Sequence, residues 1–207
     1  MNKVFQIYYD EQTRGLLDSL AYPVFNKSCT DYFENDVILA LYDLYEGDYT
    51  GVLSPRFKEK TGKDLKWVFK QLKDHDIYIL CGYDDARCEQ FWNKTFWGSV
   101  VLKDKINAAG ILPFTISHYT WVNAYCNFIL CRPEIMRDYI DTVLKPVKDF
   151  LQTTTDVGAL KAISTPVKHR SGFTSIIPYF LEGLWGCYIG NSQHTHKTLI
   201  KPKPVFL

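Results

Sequence analysis

The sequence predicts an α/β protein with a mixed, mostly parallel central sheet covered by helices on both faces. Two observations carry this expectation. Short β-rich apolar runs alternate with a segment of helical period in the order strand, helix, strand, and such alternation needs a sheet flanked by crossover helices. The run His75-Asp76-Ile77-Tyr78-Ile79-Leu80-Cys81-Gly82 reads as a buried strand stopped by a glycine. With 207 residues the chain is long enough for one well-packed core and short for two, so residues 1–207 are expected to form a single domain.

The first strand is read at Lys3 to Tyr9 (KVFQIYY), ended by the polar cluster Asp10 to Thr13. The run Asp36 to Tyr42 is too short for its period to separate helix from strand. Tyr49 to Ser54 reads as a strand, because Pro55 ends the run and holds the residue before it extended. In LKWVFKQLKD, Leu65, Val68, Phe69 and Leu72 recur at helical spacing, and Asp64 can cap the first turn. The strand Ile77 to Cys81 follows, then a short helix from Asp85 to Asn93. From Lys94 to Thr120 the pattern loosens, with Gly98, Ala108-Ala109-Gly110 and Pro113 breaking any long element. Tyr125 to Cys131 is a strand, and Pro133 opens a helix over PEIMRDYIDTVLKPVKDFL that pauses at Pro146. Phe173 to Ile189 is strongly apolar, with Ile176, Phe180, Leu184 and Tyr188 on one helical stripe. The tail from Asn191 to Leu207 is polar, then rich in Lys and Pro, and is expected to cross the surface.

Composition narrows the function classes. Net charge is +1, so no global field favours nucleic acid as a partner. The N-terminal segment has no apolar run of export-signal length, and no stretch approaches the roughly 20 apolar residues that span a bilayer. A cytoplasmic protein with no transmembrane segment is the expectation. Six cysteines, at 29, 81, 88, 126, 131 and 187, lack paired C-x-x-C spacing and read as reduced, partly buried thiols. The glycine-rich dinucleotide and P-loop signatures are absent, as are the G-x-S-x-G elbow and the H-E-x-x-H zinc helix.

The candidate chemistry lies where strands end. Asp84 and Asp85 follow the strand that stops at Gly82, at the edge where α/β sheets bind ligands. Two carboxylates there suit a hard cation shared with substrate phosphates, or else an Asp-Asp turn that caps the next helix. The Asp74-His75-Asp76 motif would lie at the opposite, amino end of that strand. After the strand ending near Leu53, the loop from Ser54 offers Arg56, Lys58 and Lys60 to a diphosphate, unless it is simply a solvated basic loop. Tyr8 and Tyr9 end the first strand, where one ring can stack on a base and the other pack inside. Glu182 is the only acid in SIIPYFLEGLWGCYIG, which suits a general base facing a cleft or a buried structural ion pair. His194 and His196 flank Thr195, either exposed or able to close over a metal or phosphate.

At KVFQIYYDEQTR, YTGVLSPRFKEKTG, IYILCGYDD, YCNFILCRPEIMRDYI and PYFLEGLWGCYI the sequence resembles small GT-A-fold glycosyltransferase-like proteins of polysaccharide biosynthesis. The resemblance implies a single GT-A-like domain, a nucleotide-sugar donor (a UDP-sugar being one class), a Mn²⁺ or Mg²⁺ ion and a glycan acceptor. It places the metal on Asp84 and Asp85, although Tyr83-Asp84-Asp85 departs from the family's D-x-D. The donor would be framed by Tyr8, Tyr9, Ser54, Arg56 and Lys60. Glu182 would act on the acceptor hydroxyl, with Gly183 standing where the family often has Arg, and His118 and Trp121 would wall the acceptor. A non-catalytic nucleotide- or glycan-binding module of the same fold is the alternative, as is a partner-binding domain whose aromatics are all core. Further domains of a longer polypeptide could complete the acceptor site.

Overall fold

A computed structural model describes residues 1–27, 34–83, 97–117, 123–124, 127–169 and 172–200. Strand β1 (Lys3–Tyr8) leads into a single turn, α1 (Glu11–Arg14), and edge strand β2 (Tyr22–Phe25). Helix α2 (Glu34–Ala40) resolves the ambiguous run at 36–42 in favour of helix, with Asn35, Val37 and Ile38 on its inner side. Strand β3 (Thr50–Leu53) is followed by α3 (Phe57–Thr61) and α4 (Leu65–Gln71), where the Asp64 carboxylate accepts from Trp67 N as an N-cap. Strand β4 (Ile77–Ile79) and the two-residue β5 (Gly82–Tyr83) come next.

A helix then fills the stretch expected to be broken. Helix α5 (Trp97–Ala109) starts beside Gly98 and ends before Gly110, which takes φ +62. The glycines and Pro113 therefore bound this helix, at the positions where such residues terminate one. Strands β6 (Asn123–Ala124) and β7 (Ile129–Cys131) precede α6 (Pro133–Tyr139). The expected pause at Pro146 is also corrected. The chain passes through a π segment, Ile140–Leu144, directly into α7 (Lys145–Thr153). A proline lacks the N–H its turn would donate and crowds the carbonyl four residues back, and the wider π turn absorbs that misfit without ending the helix. Helix α8 (Val157–Ser164), the hairpin of β8 (Val167–His169) and β9 (Gly172–Thr174), and helix α9 (Ile177–Asn191) follow.

The tail does not simply cross the surface. Its residues His196–Thr198 form β10, which pairs in parallel with β4, and Gly82 N donates to Ile200 O just beyond. The main sheet has the order β10-β4-β7-β3-β1-β2. Strand β7 is antiparallel to both its neighbours, and the remaining strands share one direction. The sheet is thus mixed and mostly parallel, with helices on both faces. Alternating residues feed two cores: Phe5, Ile7, Val52, Ile79 and Ile129 face one, while Val4, Leu53, Tyr78, Leu80 and Leu130 face the other. On the first face Trp185 of α9 is fully buried and stacks on Tyr139 with centroids 3.6 Å apart. Among the described residues no helix is long and apolar enough to cross a membrane.

Candidate functional site at the carboxyl edge of the sheet

In this strand order the neighbours of β1 lead away in opposite directions, β2 to one side and β3 to the other. The chain reverses its direction of travel across the sheet there, and a crevice outside the carboxyl ends of such strands is where ligands bind in open α/β sheets. Residues following β1 and β3 stand at that edge. A buried amide braces the two strands: Gln6, fully enclosed, donates through Nε2 to Ser54 O at 3.1 Å and Pro55 O at 3.2 Å. Its Oε1 accepts from Asp18 N at 2.7 Å. The Asp18 carboxylate in turn accepts from Leu20 N and from Leu65 N at the start of α4. The turn after β3 is therefore held by β1, by the loop after α1 and by α4 together.

The two tyrosines at the end of β1 part company. Tyr8 packs against Phe25 at 5.3 Å between centroids, with the Arg14 guanidinium 5.7 Å from its ring. Tyr9 packs against the core on the opposite face, and its hydroxyl lies 3.5 Å from Glu34 Oε1 at the start of α2. The backbone there is fixed by a capping box, in which Asp10 accepts from Thr13 N at 2.7 Å and Thr13 Oγ1 accepts from Tyr9 N and Asp10 N. Both bonds from Thr13 hold the Asp10 carboxyl below its ordinary value.

Glu34 was not singled out by its sequence context. Burial raises its carboxyl above the usual range, against the opposing pull of its own backbone hydrogen bond, the Lys60 charge and the Tyr9 hydroxyl. An acid raised in the folded state stabilises fully below its unfolded value and loses that contribution as pH climbs through the folded one. Glu34→Gln is accordingly expected to leave the melting temperature at pH 4 unchanged and to raise it at pH 7. Parallel melts of the two proteins across that interval check the slope, and superimposable profiles would contradict it.

The basic loop is divided. Arg56 is exposed and paired with Glu59 at 2.5 Å, an ion pair within one turn of α3. Lys60 is exposed too, but its ammonium sits 5.5 Å from the centroid of the Phe128 ring, at the entrance to β7. Ser54 is 4% exposed and its hydroxyl has no hydrogen-bond partner. Cys81 lies at the end of β4, and burial pushes its thiol up to about 11 while Lys60 pulls it down and Glu182 pushes it up. Glu182 is part-buried on α9, whose other side chains from Ile177 to Ile189 are buried except Tyr179. Lys60 thus lies within electrostatic reach of both Glu34 and Cys81, and Glu182 within reach of Cys81. Two elements distant in sequence, α2 and α9, each bring a carboxylate to this edge, and α3 brings a cation.

The remaining expectations divide by position. Asp84, Asp85, His118 and Trp121 lie outside the described residues, as does the expected helix from Asp85 to Asn93. Among the described residues no three His, Cys, Asp or Glu side chains gather into a group that could hold a metal ion. His194 and His196 sit at the amino end of the sheet, where His196 is exposed and opposite Ile77 and His194 is part-buried. There the His194 ring is 3.4 Å from the Tyr188 hydroxyl, which donates to Asp138 Oδ2 at 2.6 Å. Asp76 belongs to the same end, accepting from Thr195 N and Oγ1. The three cysteines described, Cys81, Cys131 and Cys187, are buried and unbridged.

No family model matches the chain, and no curated protein matches it in sequence. A solved structure does match. The WbbM bifunctional glycosyltransferase in its apo form superposes over 98% of this chain and 45% of its own, with a TM-score of 0.55 and 12% identity. The fold is glycosyltransferase-like. At that identity the likeness speaks for the fold alone, and the present chain spans less than half the length of that protein.

Proposed function

We propose that the protein is a glycosyltransferase that moves a sugar from a nucleotide-sugar donor to a hydroxyl of a glycan acceptor. The observation that supports this reading is the glycosyltransferase-like fold, with Tyr9, Glu34 and Lys60 near one another at the carboxyl edge and Glu182 near Cys81 beyond β4. In the reaction a bond forms between the acceptor oxygen and the anomeric carbon, and the bond from that carbon to the diphosphate oxygen breaks. The electron pair leaves with the nucleoside diphosphate. Lys60 and Arg56 would meet that charge, since fixed cations stabilise a developing anion. Glu182 takes the acceptor proton as general base. Tyr8 or Tyr9 offers a ring to the base, and His118 and Trp121 would wall the acceptor. A Mn²⁺ or Mg²⁺ ion on Asp84 and Asp85 would neutralise diphosphate charge, with the product entering polysaccharide or glycoconjugate synthesis.

A second reading keeps the same ligands without the chemistry. Because the chain spans only 45% of the WbbM protein, a non-catalytic nucleotide- or glycan-binding module working beside other domains accounts for the same crevice.

Thermal melts with UDP-, GDP- and dTDP-sugars, each with and without Mn²⁺, test the reading, because a ligand specific to the native state raises its stability by mass action. Stabilisation by one nucleotide class is expected, reduced in Lys60→Ala and, for its Mn²⁺-dependent part, in Asp84→Ala. No stabilisation of well-folded protein across the panel would overturn the transferase reading and the nucleotide-binding module, and would favour a glycan-binding or structural domain. Stabilisation without sugar transfer to any supplied glycan would favour the module.

A further inference from the structure

The carboxyl edge contains two polar side chains that the fold buries without a partner. Ser54 Oγ and Asn127 Oδ1 make no hydrogen bond, and each residue is 4% exposed. Ser54 directly follows β3, and Asn127 lies two residues before β7, the strand beside it. Strands β3 and β7 are antiparallel with Thr50 opposite Cys131, so the end of one and the start of the other belong to the same carboxyl edge. On the other side β7 pairs with β4 from Ile77 opposite Cys131 to Ile79 opposite Ile129. The bond from Leu80 N to Phe128 O at 2.8 Å ties the residue after Asn127 to the end of β4. Phe128, next to Asn127, is the residue whose ring carries the Lys60 ammonium.

A shortage of partners does not explain the two open groups. One strand away, Gln6 is equally enclosed and has both ends of its amide satisfied, one of them by Ser54's own carbonyl. Buried polar groups left open are uncommon, because burial strips their water and returns nothing. Asn127 is also held at φ +53, the one non-glycine residue with positive φ among those described. Backbone in that region costs energy for an L-residue, and such residues cluster at ligand clamps.

The geometry points to Ser54 and Asn127 as a neutral hydrogen-bonding subsite for a hydroxyl of the sugar carried by the nucleotide, an inference that rests on the glycosyltransferase reading. Asn127 Oδ1 is mismatched to a phosphate, whereas the Ser54 hydroxyl can donate or accept. The Asn127 carbonyl oxygen accepts only, so its ligand must supply an O–H or N–H, whereas an ionised diphosphate has none and would be repelled. Lys60 and Arg56 take the phosphates, and the uncharged pair reads what is attached to them. A ribose hydroxyl or a base N–H shares that donor chemistry, so the test must separate the nucleoside from the transferred sugar.

Calorimetric titration of UDP-glucose, GDP-mannose and dTDP-glucose, with UDP, GDP and dTDP as sugar-free probes, makes that separation in wild type, Ser54→Ala and Asn127→Gly. Glycine adopts φ +53 without strain, so the second variant removes the amide and leaves the backbone at ease. Each variant is expected to lose about tenfold or more in affinity for the sugar nucleotide and less than about twofold for the matching diphosphate, the pattern of a site that reads a hydroxyl. Equal losses for both ligands would assign the pair to the nucleoside and overturn the inference. Unchanged affinities in both variants would overturn it as well while leaving the glycosyltransferase reading intact. A wild type that binds no nucleotide at all would remove both. Ser54→Ala without ligand should melt no lower than wild type, since the hydroxyl it deletes has no partner, and a marked fall would expose a structural role instead.

Discussion

Gly51→Ala is expected to destabilise the protein by about 3 kcal/mol or more, at the upper end of what one added methyl costs in a packed core. A Cβ at this position would stand 2.1 Å from the Ile129 carbonyl oxygen and 2.7 Å from Leu130 Cδ2. The first of these contacts is backbone, so no rotamer change relieves it. Nor can β7 retreat, because the same strand is laddered to β4 on its other side, with Ile129 opposite Ile79. The extra atom would force apart the two strands that frame the carboxyl edge at Ser54 and Asn127. A fall of the melting temperature by roughly 6–12 °C corresponds to that cost in a chain of this size. Urea unfolding should show a lower midpoint at unchanged slope. A midpoint equal to that of wild type would mean that β3 and β7 have room to spare.

Glu182→Gln is expected to reduce turnover by about 10²–10⁴, the range typical of general acid–base catalysis, with little change in donor KM. The substitution keeps the shape of the side chain and removes its charge. Glu182 is part-buried on a helix whose neighbouring side chains are enclosed, so its stability should change far less than its rate. An independent reading is available at Cys81, where the Glu182 charge contributes to holding the thiol at about 11. Removing that charge should bring the thiol down and speed its alkylation at alkaline pH, as followed by peptide mass analysis. Full turnover with the alkylation effect present would place Glu182 at the crevice and deny it the proton.

Much of the sheet is legible in the sequence, for a specific reason. Strands β1, β3, β4 and β7 are enclosed on both faces, so their sequences are apolar runs closed by Asp10, Pro55, Gly82 and Pro133. Helix α4 announces itself through its Asp64 cap and the spacing of Leu65 and Val68. Strand β10 was illegible because His-Lys-Thr is polar and largely exposed, and its place is secured by backbone pairing with β4. Helix α5 was hidden by the residues that bound it, which look like breakers when their positions relative to the helix ends are unknown.

The site divides in the same way. Tyr9, Ser54, Lys60 and Glu182 drew notice from their place at strand ends or from a charge in an apolar run. Gln6, Glu34 and Asn127 carried no local signal. A glutamine inside a strand, an acid at a helix start and an asparagine before an apolar run are unremarkable until the fold ties Gln6 to Ser54, sets Glu34 beside Tyr9 and buries Asn127 at the edge just before β7. Their meaning comes from pairings across dozens of residues, which periodicity cannot encode.

The position of β7 also bears on how the protein is made. This strand lies between β3 and β4, both of which precede it in the chain. Ile129 enters the ribosomal tunnel 129 − 79 = 50 residues after Ile79, its partner on β4. At roughly 5–20 residues per second, β3 and β4 therefore wait on the order of 3–10 s with no strand between them. During that interval two apolar strand edges are open to each other and to neighbouring nascent chains, a hazard natural proteins otherwise cover or blunt. Slower translation across residues 80–128 would lengthen the exposure, and a chaperone that captures extended apolar segments would find its substrate in this window.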